Sequence, residues 1–522
     1  MNLAIDSWIP VVRTDGKPDT VSLEQAFRDG EDIRDLAVRP HERIALMRLL
    51  MAVAHAGLEA PDGLGGPLDH ADWEKCQDRI APAALKHLSQ HQNAFSLLGN
   101  GSRFGQLYSG TEHAPKIDSK DATWASKLEL VLATGNNPTV FDNAGSTPRA
   151  FNSAHLARML VSYQSCSPLI GRGYKGRSPC VEGNMLHTFL RGTSLVETLW
   201  LNLIDRKTVA QTYGREAWGK PVWLAMPDSP SDNAAIQNAT STYLGRLGPL
   251  PRTVGLADSG QVIALENGLQ YPAWDGDPAE PSATVIVKDK KERGVFAARL
   301  DRAVWRDLPS LAVKDRSDGP KGALAWQRFP EDRPCELWVG ALVTDRKAKV
   351  LNTVESVFTL PPNASSDDFL TYYSGGVGFA EWWATAVEKG MSAYRRAQGD
   401  NIDRREVRKR ANLMKQRGAS HFWTAIETSA RDVLIPLAAN PPDELKCAGP
   451  FYLDYRRPES RWGPLVRRAA EDAFALACPQ SSARQAAAYG AGRLAMLRNQ
   501  PPAPKAESPE TPNIPDTEPR TL

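Results

Sequence analysis

The sequence predicts a large mixed α/β domain over residues 1–365, an all-α four-helix bundle over residues 366–498 and a disordered proline-rich tail over residues 499–522. Three observations predict it. At 522 residues the chain exceeds what one hydrophobic core ordinarily supports. Strand-like and helix-like segments alternate as far as about residue 365. Beyond that point strand signals almost vanish and four long helix-competent stretches follow, the pattern of antiparallel packed helices.

Taken in order, "SWIPVV" from Ser7 reads as a strand, "TDGKPD" as a polar turn and "VSLEQAF" as the start of a helix. From His41, "HERIALMRLLMAVAHAGL" places Ile44, Leu46, Met47, Leu50, Met51 and Ala54 on one core-facing helical stripe. A Gly/Pro-rich turn between Pro61 and Pro67 breaks it. "NSAHLARMLVSYQ" from Asn152 and "MLHTFLRGTSLVETLWLNLI" from Met185 read as helical, while "ATVIVK" from Ala283 and "ELWVGALV" from Glu336 read as strands. Asp367 and Asp368 signal the start of the first bundle helix. Tyr372, Tyr373, Trp382 and Trp383 are expected in the bundle core. The tail holds too much proline and charge to pack.

A net charge of +2 excludes a histone-like polycation, so any nucleic-acid footprint must be local. Six cysteines are scattered without a CxxC pair, and neither a zinc site, a disulfide framework nor any other cofactor is expected. The opening residues carry no basic-then-apolar leader, and no run of about eighteen apolar residues occurs, so a soluble, cytoplasmic protein with no membrane contact is expected. No GxSxG or HExxH pattern is found. His55, His155 and His187 fall in helical stretches, where structural roles are the common ones. The chain is not expected to be an enzyme.

The stretch "LIGRGYKGRS", Leu169 to Ser178, has the glycines and hydroxyl of a phosphate-binding loop. It has Arg177 where such a loop has its lysine, Pro179 where the helix should begin, and a poor strand before it. An NTP-dependent enzyme using this degenerate loop, with Asp205 as a magnesium partner, is one reading. Another fits the residues better: Gly171 and Gly173 remove side-chain bulk while Arg172, Lys175 and Arg177 supply cations, so the backbone approaches a polyanion closely. A second basic concentration, Glu388 to Arg417, holds ten Lys/Arg against four Asp/Glu. Arg404, Arg405, Arg408, Lys409 and Arg410 lie within it, as a solvated helix face or as a track for a nucleic-acid backbone. A purely structural subunit binding RNA through these helices is a third reading.

Several segments together resemble the CasA family, the large subunit of the type I-E CRISPR Cascade complex: "NLAIDSWIPV", "GNNPTVFDN" from Gly135, "PLIGRGYKG", "TFLRGTSLVETLWLNLI", "YLGRLGPLPR" ending at Arg252, and the helical C-terminal quarter. The resemblance spans about residues 1 to 495. It implies an α/β domain followed by a four-helix bundle. It further implies a non-catalytic subunit that recognises the protospacer-adjacent motif in double-stranded target DNA, promotes duplex opening and R-loop formation, steers the displaced strand and recruits a helicase-nuclease for antiviral defence. Other Cascade subunits and the CRISPR guide RNA are the implied partners, and base pairing with the guide reads the sequence beyond the motif.

Residue by residue, the resemblance places a minor-groove loop at Leu169–Gly173. Gly171 and Gly173 keep the family's glycines, Arg172 departs from them and Lys175 follows. A narrow groove admits bare backbone and attracts arginine. The resemblance places a wedge hairpin at Asp345, Arg346 and Lys347, where the family's glutamine is absent. Gln270, Lys288, Lys290 and Lys291 are further DNA-contact positions. Asn137, Phe141 and Asn143 form a loop toward the guide RNA and neighbouring subunits.

Overall fold

The computed structural model describes all residues except 61–63, 67, 100, 118–121, 133–138, 140, 143–148, 168–183, 215–216, 270, 272–279, 289–291, 315–320, 346–348, 400–404 and 505–522. The chain separates into two compact units, Met1–Pro362 and Asn363–Leu522.

The first unit is mixed α/β. Its opening strands, β1 (Ile9–Arg13), β2 (Pro18–Val21) and β3 (Ile33–Leu36), form an antiparallel sheet in the order β2-β1-β3. The expected turn is present: Gly16 takes φ +83°, and the Arg13 amide donates to the Lys17 carbonyl at 2.8 Å. It leads into β2 rather than directly into a helix. Ser22 and Gln25 then form a capping box that starts the helix Leu23–Arg28.

The helix Pro40–Leu58 is not the one-sided helix that its apolar stripe suggested. Nearly every face is buried, including His41, Arg43, Arg48 and His55. Helix Gln77–Gln90 packs so closely on it that a Cβ on Gly57 would lie 2.4 Å from the Ala83 carbonyl oxygen. Arg48 is fully buried because its charge is matched. It bonds to the Glu280 carboxylate and the Arg246 carbonyl, and Arg246 adds a second ion pair to Glu280 at 3.0 Å.

Further along are β4 (Ala122–Trp124), β5 (His187–Arg191), β6 (Arg252–Leu256), β7 (Val262–Asn267), β8 (Val285–Lys288), β9 (Glu292–Val295), β10 (Cys335–Thr344) and β11 (Val350–Leu360). They make sheets ordered β4-β7-β6 and β11-β10-β5 and the hairpin β8-β9, all antiparallel. β5 corrects the expectation of one helix from Met185 to Ile204. Phe189, Leu190 and their neighbours pair with β10 over Glu336–Gly340. Gly192 breaks the run, and Ser194 caps a separate helix, Leu195–Asn202. His187 is therefore a strand residue, its Nδ1 2.8 Å from the Ser282 hydroxyl.

In the second unit four long helices, Asp367–Ala397, Arg405–Ser429, Trp462–Ala477 and Ala483–Arg498, pack side by side. Ser366 caps the first, with Asp367 and Asp368 in its first turn. Tyr373 and Trp383 enter the core as expected, whereas Tyr372 is half-buried and Trp382 is exposed. The Trp382 indole donates instead to the Asn499 carbonyl at 2.9 Å, and Pro501 is buried. The start of the expected tail is thus packed, and its residues 505–522 lie outside the described ones. The second helix passes through a π-turn, Ala430–Leu434, before Ile435–Ala439. Pro436 lacks the amide and would clash with the carbonyl four residues back, so the ladder widens there.

Candidate nucleic-acid interface

The glycine loop joins the helix Ser153–Cys166 to β5, and the first described residue on its far side is Asn184. Asn184 is buried and left-handed, at φ +58°. Asparagine is one of the few residues that tolerates this region, because its short amide bonds locally to backbone. Here the amide bonds to the end of β10. Its Nδ2 donates to the Thr344 carbonyl at 3.0 Å, while its Oδ1 accepts from the Thr344 amide at 3.0 Å and the Thr344 hydroxyl at 2.9 Å.

Backbone pairing of β5 with β10 ends at His187 and Gly340. Beyond it the Asn184 side chain presents one donor and one acceptor to Thr344, as a peptide unit of a longer strand would. A bulge falls at the same place: Val343 faces Asn352 but Thr344 faces Val350. Bulges bend a strand and re-aim the residues after them. Those residues are the hairpin connection, closed by the Asp345 amide on the Lys349 carbonyl at 3.0 Å and by the Lys349 amide on the Asp345 carboxylate at 3.1 Å.

The basic hairpin meets the same junction. The Asn184 carbonyl accepts from the Ala298 amide at 2.8 Å, Leu186 donates to Phe296 at 2.9 Å, and Met185 and His187 bridge to Ala297 and Ala283. Thus the exit of the glycine loop, the base of the β10-β11 hairpin and the residues following the β8-β9 hairpin are hydrogen-bonded at Asn184. A second asparagine secures the other end of β5: Asn202 accepts from the Leu190 amide at 3.0 Å and donates to its carbonyl at 2.6 Å. Arg191 adds ion pairs to Asp35 at 2.8 Å and Glu336 at 3.0 Å.

The Phe141 segment is built separately. Thr139 is buried, and its hydroxyl donates to the Val131 carbonyl at 2.6 Å while accepting from the Phe141 and Asp142 amides at 3.2 and 3.0 Å. Arg149 pairs with Asp142 at 2.8 Å. Phe141 is left 49% exposed. Glu129 anchors the start of this segment. Burial alone would raise its carboxyl, but the His155 bond and the Arg39 charge hold it below the ordinary range.

Of the remaining expected site residues, Gly171, Arg172, Gly173, Lys175, Arg346, Lys347, Gln270, Lys290, Lys291, Asn137, Asn143 and Arg404 lie outside the described residues. Lys288 ends β8, and Arg405 begins the basic helix. Arg408, Lys409 and Arg410 are exposed on that helix, in the second unit. Asp205 is buried, caps the helix Arg206–Tyr213 through the Thr208 amide at 2.8 Å and lies 3.2 Å from His70 Nδ1, which accounts for it within the fold. Among the described residues no group of three or more His, Cys, Asp or Glu is placed to hold a metal ion, and no helix is long and apolar enough to cross a membrane. The residues that sequence reasoning missed are Asn184, Thr344, Thr139 and Asn202. The Gly183-Asn184 pair ahead of an apolar run is a turn signal that points to the first.

The profile of the family described as CRISPR-associated protein Cse1 matches residues 2–473. A CRISPR-associated protein CasA/Cse1 of Thermus thermophilus is 32% identical over 382 residues, covering 69% of this chain and 71% of that protein. The crystal structure of a Thermus thermophilus CasA superposes with a TM-score of 0.73 at 20% identity, covering 96% of this chain and 99% of that one. A chain from a structure described as a CRISPR RNA-guided surveillance complex superposes at 0.65 with 15% identity, covering 95% and 99%. With the profile spanning most of its length and a curated relative above thirty per cent identity, this chain belongs to the CRISPR-associated Cse1 (CasA) family.

Proposed function

We propose that this chain is a non-catalytic large subunit of a type I-E CRISPR RNA-guided surveillance complex, working in the cytoplasm, and that it reads the protospacer-adjacent motif in duplex DNA. The observation that carries this reading is the junction at Asn184, which ties a glycine-and-cation loop, a bulged hairpin and a basic hairpin to one point. Family membership and the fold it shares with surveillance-complex chains support it.

In this reading, bare backbone at Gly171 and Gly173 enters the minor groove, where side chains larger than hydrogen clash and base edges are nearly degenerate. Arg172 and Lys175 offset phosphate charge. The Asp345–Lys349 turn carries Arg346 and Lys347 to the fork, where a cation serves as wedge and phosphate partner and starts the R-loop. Gln270, Lys288, Lys290 and Lys291 add contacts to the duplex. Phe141, with Asn137 and Asn143, docks the chain against guide RNA and neighbouring subunits. The C-terminal helices form a four-helix bundle whose face at Arg404, Arg405, Arg408, Lys409 and Arg410 follows the displaced strand. A helicase-nuclease is recruited once the duplex is open.

The test is binding of the assembled guide-RNA complex, with and without this chain, to matched duplexes carrying a randomised flanking motif at fixed salt. Enrichment of a short motif only when the chain is present is the expected result. Motif-independent binding overturns the reading and leaves a structural, RNA-binding subunit.

A further inference from the structure

We propose that Asn184 is a positioning residue that couples the glycine loop to the wedge hairpin, so that docking of the loop on duplex DNA sets the hairpin tip against the base pair to be opened. The inference rests on the functional reading above.

Asn184 is the first described residue of the loop exit and the partner of the last residue of β10. Its side chain replaces two missing ladder bonds and adds a third, all to Thr344. The tip begins at Asp345, one residue further on. Between the loop exit and the tip there is thus one amide group and one threonine. Both are buried, so water does not compete for these bonds. The bulge at Val343/Thr344 frees the tip from the straight path of the sheet, and its direction depends on what fixes Thr344. The Asn184 carbonyl takes the Ala298 amide at 2.8 Å, so the basic hairpin is referenced to the same residue.

The left-handed backbone separates two consequences of mutation. Glycine keeps φ +58° without strain but removes the amide, and aspartate tolerates this region nearly as asparagine does, whereas most other residues add backbone strain. Asn184→Gly is therefore the informative variant. Asn184→Asp keeps an oxygen for the Thr344 amide and hydroxyl but loses the donor to its carbonyl.

The experiment compares wild-type, Asn184→Gly and Asn184→Asp chains in the fully assembled complex. Each is measured on a motif-bearing paired duplex and on the same duplex opened in advance by mismatches next to the motif. Guide-RNA content and subunit composition report assembly. The coupling predicts that Asn184→Gly loses roughly tenfold or more in affinity for the paired duplex, about 1.4 kcal/mol, and less than about twofold for the pre-opened one. Asn184→Asp is expected to fall between the two. Wild-type behaviour of both variants overturns the proposal, as does an equal loss on both duplexes, which marks a general structural role. If Asn184→Gly fails to assemble, the ratio of the two affinities for Asn184→Asp decides in the same way. Absence of motif dependence in the wild-type complex overturns the functional reading itself, and this inference with it.

Discussion

The Thr139 hydroxyl lies 3.2 Å from the Phe141 amide and fixes a turn from which the phenyl ring projects, half exposed. If Phe141 docks on a neighbouring subunit as proposed, the ordering cost is met before contact. Phe141→Ala is expected to leave the isolated chain's melting temperature nearly unchanged and to weaken its incorporation into the complex by tenfold or more, about 1.4 kcal/mol. Titration of the chain into complex lacking it, followed by native mass measurement, checks this. Thr139→Val should weaken incorporation to a smaller extent.

Gly173→Asp places a carboxylate in the loop assigned to the minor groove. Bulk and like charge against phosphates act in the same direction. Target-duplex binding is expected to fall to the non-specific level while assembly with guide RNA is kept. Gel-shift titration with matched and motif-less duplexes separates the two. Normal target binding would sink the loop assignment.

Arg408, Lys409 and Arg410 are exposed along one stretch of helix. If they follow a DNA backbone, their joint replacement by Ala reduces the slope of log affinity against log salt by about 2 to 3, since each phosphate contact contributes slightly less than one. Motif preference should not change. Affinity measured at several salt concentrations gives the slope, and an unaltered slope assigns these residues to a solvated face.

Two buried histidines set an acid limit on stability. Burial lowers His55 to about 3, and burial followed by repulsion from His91 lowers His87 to about 4. Both folded values lie below the ordinary 6.5, so the unfolded chain takes up protons first as pH falls. Their contribution is complete above about 6.5 and declines toward 4 and 3, by about 1.4 kcal/mol per pH unit for each group. Glu59 acts oppositely. Burial raises its carboxyl well above the ordinary range, so its contribution is complete at low pH and declines as pH rises. Melting temperature is expected to fall between pH 7 and pH 5. Glu59→Gln removes the opposing group and should steepen that fall in a differential scanning series.

The division into an α/β part and a helical part was legible in hydrophobic periodicity, and so was the helix start at Asp367 and Asp368. The Met185–Ile204 run was not. A short apolar strand followed by a short apolar helix matches a helical period as well as one long helix does, and pairing of Phe189 and Leu190 with β10 decides between them. The helix Pro40–Leu58 showed an apolar stripe in sequence, but burial of its other faces, with Arg43, Arg48 and His55 on buried partners, depends on residues far along the chain. The glycines and cations expected at the site lie mostly outside the described residues, and what the structure adds is their described flank. Asn184 was not legible in the sequence, because its importance lies in Thr344, a residue 160 positions away.

The triad of Arg48, Glu280 and Arg246 constrains how this chain can diverge. Loss of Glu280 strands two buried arginines, at about 3 to 5 kcal/mol, whereas loss of either arginine leaves the other paired and an apolar set of the same volume would be tolerated. Drift one residue at a time therefore meets a barrier that coordinated replacement avoids. Lineages that abandoned Glu280 should have lost both arginines with it, and a library varied at these sites should return survivors that keep Glu280 with at least one arginine or carry no charge at any of the three.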